Sequence, residues 1–307
     1  MERFHGQKKS FSESLLSTPT PARASGAAFS IASVLPSLLA VVFLIVLAIM
    51  GAENYQEKDW YIYVSYLLSP IAFSLVLFWY LNYTKTPFKI ACQKQKCKAK
   101  YFAIAVLMQI GLFSLSELNA YFLQFLSKFG YQDSGILLPS MDGVGFLGVL
   151  FVVAVLPAVF EEIMFRGILL GGLKSFGKWG AVFICGALFS LYHQNPAQTL
   201  YQFCCGVAFA LVAVKAGSIL PTVLSHFLNN AFILTLTKYG ISEFTAPAKW
   251  IIFSISAVCL VVSILLLIQD NQSEEVDKKE KKRFFTCVSV GIAVCAFSWL
   301  FTLISGF

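Results

Sequence analysis

Apolar residues fall along this chain in long unbroken blocks, not in the alternation of a half-buried strand or the narrow stripe of a surface helix. Nine blocks stand out, at about 27–50, 60–82, 101–127, 143–173, 179–194, 197–215, 218–237, 250–268 and 284–306. A helix needs roughly 20 such residues to cross the hydrocarbon of a bilayer. The pattern therefore predicts an all-α fold, a polytopic transmembrane bundle of about eight or nine spans. The fourth block is too long for one straight span. Pro157 is expected to kink it, with Gly171 to Lys178 running out along the interface. The fifth is short and turns polar at its end.

Composition agrees with lipid as the solvent. The chain is 58% hydrophobic and 13% charged, where soluble domains carry about a quarter charged residues. Residues 1–26 are polar, rich in Ser, Thr and Pro, and read as a flexible tail. The first apolar block is too long for a signal-peptide core and lacks a small-x-small cleavage site, so it is expected to be retained. The net charge of +7 could suggest nucleic acid, but the lysines argue against that partner. They cluster as Lys85, Lys89, Lys94, Lys96, Lys98 and Lys100, and as Lys278, Lys279, Lys281, Lys282 and Arg283, beside apolar blocks. Anionic lipid headgroups and the positive-inside rule put basic residues there. Nine spans with a cytoplasmic N-terminus satisfy every loop, in what reads as a bacterial cell membrane. Six of the eight cysteines lie in apolar blocks and pack as small hydrophobes. Cys92 and Cys97 flank a loop expected in the cytosol, where no disulfide is expected.

Ionisable groups at membrane depth are costly and mark function by default. Here they are Glu117, Glu161, Glu162, Arg166, His193 and His226. Glu162 stands four residues before Arg166, the favourable order for an ion pair on a helix. Adjacent helical positions diverge by about 100°, so Glu161 and Glu162 are not expected to face one site directly. Glu161 is then the carboxylate left without a counter-ion and free to act as a base. Against this stands a single stabilising network of all three charges. Phe189 and His193 share a helix face, as do His226 and Asn230. Each of these pairs could equally be packed core or interhelical glue. Asn229 points elsewhere, toward a neighbouring helix. Glu117 is an outlier whose simplest role is a partner for Arg166. Glu161 lies 16 residues before the turn at Gly177 and His193 lies 16 after it. At ~1.5 Å rise per residue, antiparallel helices bring the two to one height. His226 and Asn230 follow Gly217 on another helix and reach a similar depth. A carboxylate, two imidazoles and a carboxamide at one dry spot form a hydrolytic set.

In order and rough spacing, Glu161-Glu162-x-x-x-Arg166, Phe189-x-x-x-His193 and His226-x-x-x-Asn230 resemble the three motifs of the CPBP family. Phe165-Arg166-Gly167 and Gly217-Ser218-Ile219 fit as well. That family joins CAAX prenyl endopeptidases with the Abi proteins linked to bacteriocin immunity. The resemblance covers about residues 150–235. It implies an intramembrane endopeptidase acting on a membrane-associated protein or peptide, with no organic cofactor. Glu161 would activate water and His193 would help to position it. His226 and Asn230 would bind the oxyanion, with Glu162, Arg166 and Phe189 in support. Alternatively, His193 and His226 would hold zinc, as the family's description as metalloproteases implies. No His-Glu-x-x-His motif is present, and catalytic zinc wants three protein ligands.

The chain then divides into the tail at 1–26, three spans over 27–140, a catalytic core over 141–240 and C-terminal spans over 241–307. Two other classes compete. A non-catalytic scaffold or immunity protein would have no need to keep Glu161. A proton-coupled transporter would string its ionisable groups along a path, where here they cluster.

Overall fold

Lipid supplies no partners for backbone N–H and C=O groups, so a chain inside it satisfies them by helix formation. A computed structural model describes residues 21–92, 96–133, 135–241, 244–268 and 277–307. Within them each apolar block is a helix: α1 (Pro21–Ile49), α2 (Asp59–Thr84), α3 (Lys100–Ser127), α4 (Gly145–Gly172), α5 (Lys178–Tyr192), α6 (Pro196–Ala216), α7 (Leu220–Lys238), α8 (Ala246–Ile268) and α9 (Lys278–Ser305). No strand occurs among the described residues. Seven of these helices are long and apolar enough to cross a membrane. The other two are α5 and α7. With 15 residues, α5 covers about 22 Å. The 19 residues of α7 include Thr222, Ser225, His226, Asn229 and Asn230. The expectation of eight or nine spans thus resolves into seven self-sufficient ones and two polar or short helices inside the bundle.

Bulky apolar side chains point outward from the outer helices. Val41, Val42 and Ile45 on α1, Ile255, Val258 and Val261 on α8, and Val290, Phe297 and Phe301 on α9 are all exposed. A surface of this kind is stable only against lipid or protein. The protein is an integral, multi-pass membrane protein.

Two expectations need correction. The tail was expected to reach residue 26, but α1 begins at Pro21. Proline suits the first helical position, and Ala22, Ala24, Ser25, Gly26 and Ala28 are buried there. Ser30 Oγ donates to the Cys287 carbonyl at 2.7 Å and accepts from Gly291 N at 3.0 Å, which locks α1 to α9. Arg3, His5, Lys8, Lys9, Lys94 and positions 270–276 lie outside the described residues. Second, Gly171 to Lys178 do not run out along a surface. Gly172, Leu173 and Phe176 are buried, and the Phe176 ring meets Phe284 and Phe285 at 5.4 and 5.6 Å. The stretch is too apolar to stay unpacked beside α1 and α9.

At Pro157, where the sequence predicts a kink, the helical run of α4 is unbroken. Two π-helical stretches, Leu150–Val155 and Ile163–Leu169, flank the α-helical Leu156–Glu162. A π-turn widens the hydrogen-bonded ring by one residue, and it is a known way for a helix to absorb a disruption. The glutamates therefore sit between two phase shifts.

Two contacts set the frame around them. α5 and α6 meet at glycines, where a Cβ on Gly206 would lie 2.8 Å from the Gly186 Cα. α3 and α7 are tied by Ser225 Oγ to the Ala105 carbonyl at 2.8 Å and by Gln109 Nε2 to Asn229 Oδ1 at 2.9 Å. Both contacts advance by four residues in the same sense, so these two helices run parallel.

Candidate active site

α4 carries Glu161, Glu162 and Arg166 into the bundle. The Arg166 guanidinium donates to Glu162 Oε1 at 2.7 Å, and both side chains are 0% exposed. Arg166 also reaches the Gly206 carbonyl at 3.3 Å. That approach depends on the glycine contact that draws α6 against α5. The guanidinium carbon lies 4.2 Å from the Phe189 ring centroid, with Phe209 at 5.3 Å and Phe165 at 6.0 Å. Three aromatic faces thus substitute for water around the buried cation.

Glu162 does more than pair with Arg166. His226 Nδ1 stands 3.0 Å from the same Oε1. Arg166, Glu162 and His226 form one buried chain joining α4 to α7. The other ring nitrogen, His226 Nε2, lies 3.9 Å from Glu161 Oε2. Both glutamates therefore address one imidazole, against the expectation that adjacent positions could not share a site. The ring presents nitrogens in two directions, so it spans the angle between them. The difference between the two acids survives. The Oε2 atom of each is buried without a hydrogen-bond partner, but Glu162 Oε1 accepts from Arg166 and His226, whereas Glu161 approaches His226 only at 3.9 Å.

His193 closes α5. Its Nδ1 lies 2.8 Å from the Phe189 carbonyl. A carbonyl only accepts, so Nδ1 carries the hydrogen and Nε2 is left with its lone pair. Gln194 follows with φ 54, an uncommon conformation for a non-glycine residue. The helix stops there and the imidazole remains at its end. The Phe189 ring packs edge-on to both histidines, 4.7 Å from His193 and 6.0 Å from His226 between centroids. His193 is within electrostatic reach of Glu161, His226 and Arg166.

Asn230 lies one turn beyond His226 on α7. Its Nδ2 donates to the Val153 carbonyl at 3.1 Å, and its Oδ1 accepts from Asn229 Nδ2 at 3.1 Å. Val153 is four residues before Pro157, which has no N–H to give it. The carboxamide thus occupies the carbonyl that the proline leaves open. Asn229, expected to pair with a neighbouring helix, does so through Oδ1, which accepts from Gln109 and from Tyr201 Oη at 2.8 Å.

Glu117 is not part of the site. It pairs with Lys249 at 2.8 Å, and both side chains are partly exposed. A 3-10 turn at Phe113–Leu115 separates it from the buried stretch of α3. It is therefore no partner for Arg166, and Glu161, Glu162 and His226 cluster without it.

Two outer nitrogens are held as they are in many metal-bound histidines, one by a carboxylate and one by a carbonyl. A donor set for zinc does not follow. Among the described residues no three His, Cys, Asp or Glu side chains converge to hold a metal ion, and catalytic zinc takes three protein ligands. His193 and His226 alone do not fit it.

Sequence reasoning missed Gln109, Tyr201, Phe209 and Gly206. It searched for charge at depth, and none of these four is charged. An amide in the middle of an apolar span was the available signal for Gln109.

Residues 143–232 match the family model described as Rce1-like, type II CAAX prenyl endopeptidase Rce1-like. Neither curated proteins nor solved structures yield a match to the chain.

Proposed function

We propose that the chain, whose residues 143–232 match the type II CAAX prenyl endopeptidase model, is a CAAX-type intramembrane endopeptidase, and from that premise we derive how this site cleaves a peptide bond and in what substrate. Glu161 takes a proton from water. The hydroxide oxygen adds to the scissile carbonyl, and the proton passes to the leaving amine nitrogen as the tetrahedral intermediate collapses. His193 Nε2, with its lone pair free, orients the water. His226 is held at Nδ1 by Glu162 and donates from Nε2 to the oxyanion when its ring is protonated. Asn230 supplies a second donor from its carboxamide. The prenylated tail of a membrane-anchored protein is the substrate class, in keeping with the family's description.

One observation carries the division of labour. Two adjacent carboxylates reach one imidazole, yet Glu162 Oε1 is tied down by the Arg166 guanidinium at 2.7 Å, while among the described residues Glu161 has only the His226 ring, at 3.9 Å, as an ion-pair partner. The test is cleavage of a farnesylated CAAX reporter peptide by purified protein in detergent. Glu161→Gln should lower turnover by about 10²–10⁴-fold, the usual contribution of a positioned base, with unchanged melting temperature. A Glu161→Gln protein that still cleaves refutes the assignment. Activity should also survive exhaustive chelation. A loss that zinc restores would return His193 and His226 to the role of ligands.

A further inference from the structure

Asn230 has a direction as well as a position. A carboxamide can flip by 180° and exchange its oxygen for its nitrogen. As an oxyanion donor it must turn Nδ2 toward the reacting carbonyl, so something has to hold it that way. The chain of contacts around it runs Gln109, Tyr201, Asn229, Asn230 and Val153. Gln109 Nε2 and Tyr201 Oη both donate to Asn229 Oδ1, at 2.9 and 2.8 Å. Asn229 Nδ2 donates to Asn230 Oδ1 and Asn230 Nδ2 to the Val153 carbonyl, each at 3.1 Å. Gln109 and Asn229 are 2% and 4% exposed, so no bulk water competes for these groups.

The last link cannot reverse, because a backbone carbonyl only accepts. The first link resists reversal too. A flipped Asn229 would require the Gln109 carboxamide to flip with it and the Tyr201 hydroxyl to turn from donor to acceptor. The Val153 carbonyl therefore sets the polarity of the two asparagines, and Gln109 and Tyr201 reinforce it from the other end. An amide nitrogen has two hydrogens, and only one is needed for Val153, which leaves the second for a substrate oxygen.

We propose that Gln109 and Tyr201 are positioning residues for hydrolysis, acting through Asn229 to hold the Asn230 carboxamide with its nitrogen toward the substrate. Gln109 lies on α3, outside residues 143–232 that match the family model. An N-terminal span would then belong to the catalytic apparatus. The proposal rests on the reading of Asn230 as an oxyanion donor, and the experiment separates the two.

Turnover and KM for the farnesylated CAAX reporter peptide are measured for Asn230→Ala, Tyr201→Phe, Tyr201→Phe with Gln109→Met, and the triple variant. Melting temperatures are recorded for each. Loss of an oxyanion donor costs about 10²–10³-fold in turnover, the drop expected for Asn230→Ala. The Tyr201→Phe/Gln109→Met pair should lose about tenfold or more in turnover, by the same logic applied to a donor freed to rotate. Its KM should stay near wild type, while its melting temperature falls because the buried Asn229 Oδ1 loses both donors, so turnover is read at a temperature where every variant is folded. In the Asn230→Ala background the pair should cost nothing further, because no carboxamide remains to orient. Tyr201→Phe alone is nearly isosteric and should show a smaller loss of the same kind. Full activity of the pair beside an impaired Asn230→Ala overturns the positioning role alone. So do losses that multiply in the triple variant, or a loss carried by KM. A fully active Asn230→Ala overturns the oxyanion reading itself, and the positioning role with it.

Discussion

The inner helices α4–α7 and the outer helices α1, α8 and α9 are built on opposite rules. In the most apolar stretch of α1, α8 and α9 only 17% of residues are buried, against 44% in α6. The outer helices show lipid their bulk and keep small residues for each other, as Ser30 and Gly291 do between α1 and α9. The inner helices bury a full ion pair, His226 and Asn229, and hold His193 and Asn230 half-buried beside them. The contrast shows where the polar groups can be tolerated. A charge survives in the bundle only where each neighbour has been assigned to it, as Glu162, the Gly206 carbonyl and three aromatic rings are assigned to Arg166.

Inner substitutions should therefore be expensive in proportion to how many such assignments they undo. Glu162→Gln strips Arg166 of its counter-charge and weakens the hold on His226. Arg166→Ala leaves Glu162 as a buried anion. Breaking a buried pair typically costs about 3–5 kcal/mol, and each variant should show a loss of this size by melting or denaturation in detergent. Glu161→Gln is the control, because it removes a carboxylate with no permanent counter-ion and should melt as wild type does. If Glu162→Gln is as stable as wild type, the inner charges are not a structural unit and the contrast between the two layers fails.

Next in size is the glycine contact between α5 and α6. A methyl at Gly206 would meet the Gly186 backbone at 2.8 Å. No flexible side chain is there to move aside, so the helices must part. Overpacking of this kind costs about 1–3 kcal/mol. Gly206→Ala should also lower turnover, because parting α6 from α5 withdraws the Gly206 carbonyl from Arg166. A variant that loses stability yet keeps full turnover would mean that Arg166 tolerates the loss of that carbonyl.

The difference between the two layers also explains what could be read from the sequence. The outer helices were legible because their apolar runs are long and lipid requires helices. Glu161, Glu162, Arg166, His193 and His226 were legible because charge at depth is rare. The missed features depend on contacts between distant segments. Gln109 and Asn229 are 120 positions apart and carry no charge, so nothing local tied them together. The sharing of His226 by both glutamates is not legible from directions around α4 alone, because the two nitrogens of a ring arriving from α7 span the angle between them. The role of Pro157 was read as a kink. Its larger consequence is the open Val153 carbonyl, which only the position of Asn230 reveals. Glu117 was misread because an acid inside an apolar block was assumed to be at depth, although Lys249 meets it at the edge of the bundle.

The smallest expected effect lies on the outer face of α8. Ile255 and Val258 are 56% and 63% exposed. In a protein core, truncating such residues to alanine leaves a cavity and costs several kcal/mol for the larger side chains. Facing lipid, the same truncation leaves none, because acyl chains fill the space and are as apolar as the atoms removed. Ile255→Ala and Val258→Ala should each change stability by no more than about 0.5 kcal/mol, the range for substitutions away from packed features. Turnover on the reporter peptide should be unchanged, since neither side chain reaches the site. Both quantities are read in the same detergent as Gly206→Ala, so that the inner and outer layers are compared under one solvent. A loss at Val258 as large as that at Gly206 would mean that this face is covered by protein, and that α8 belongs to the inner layer.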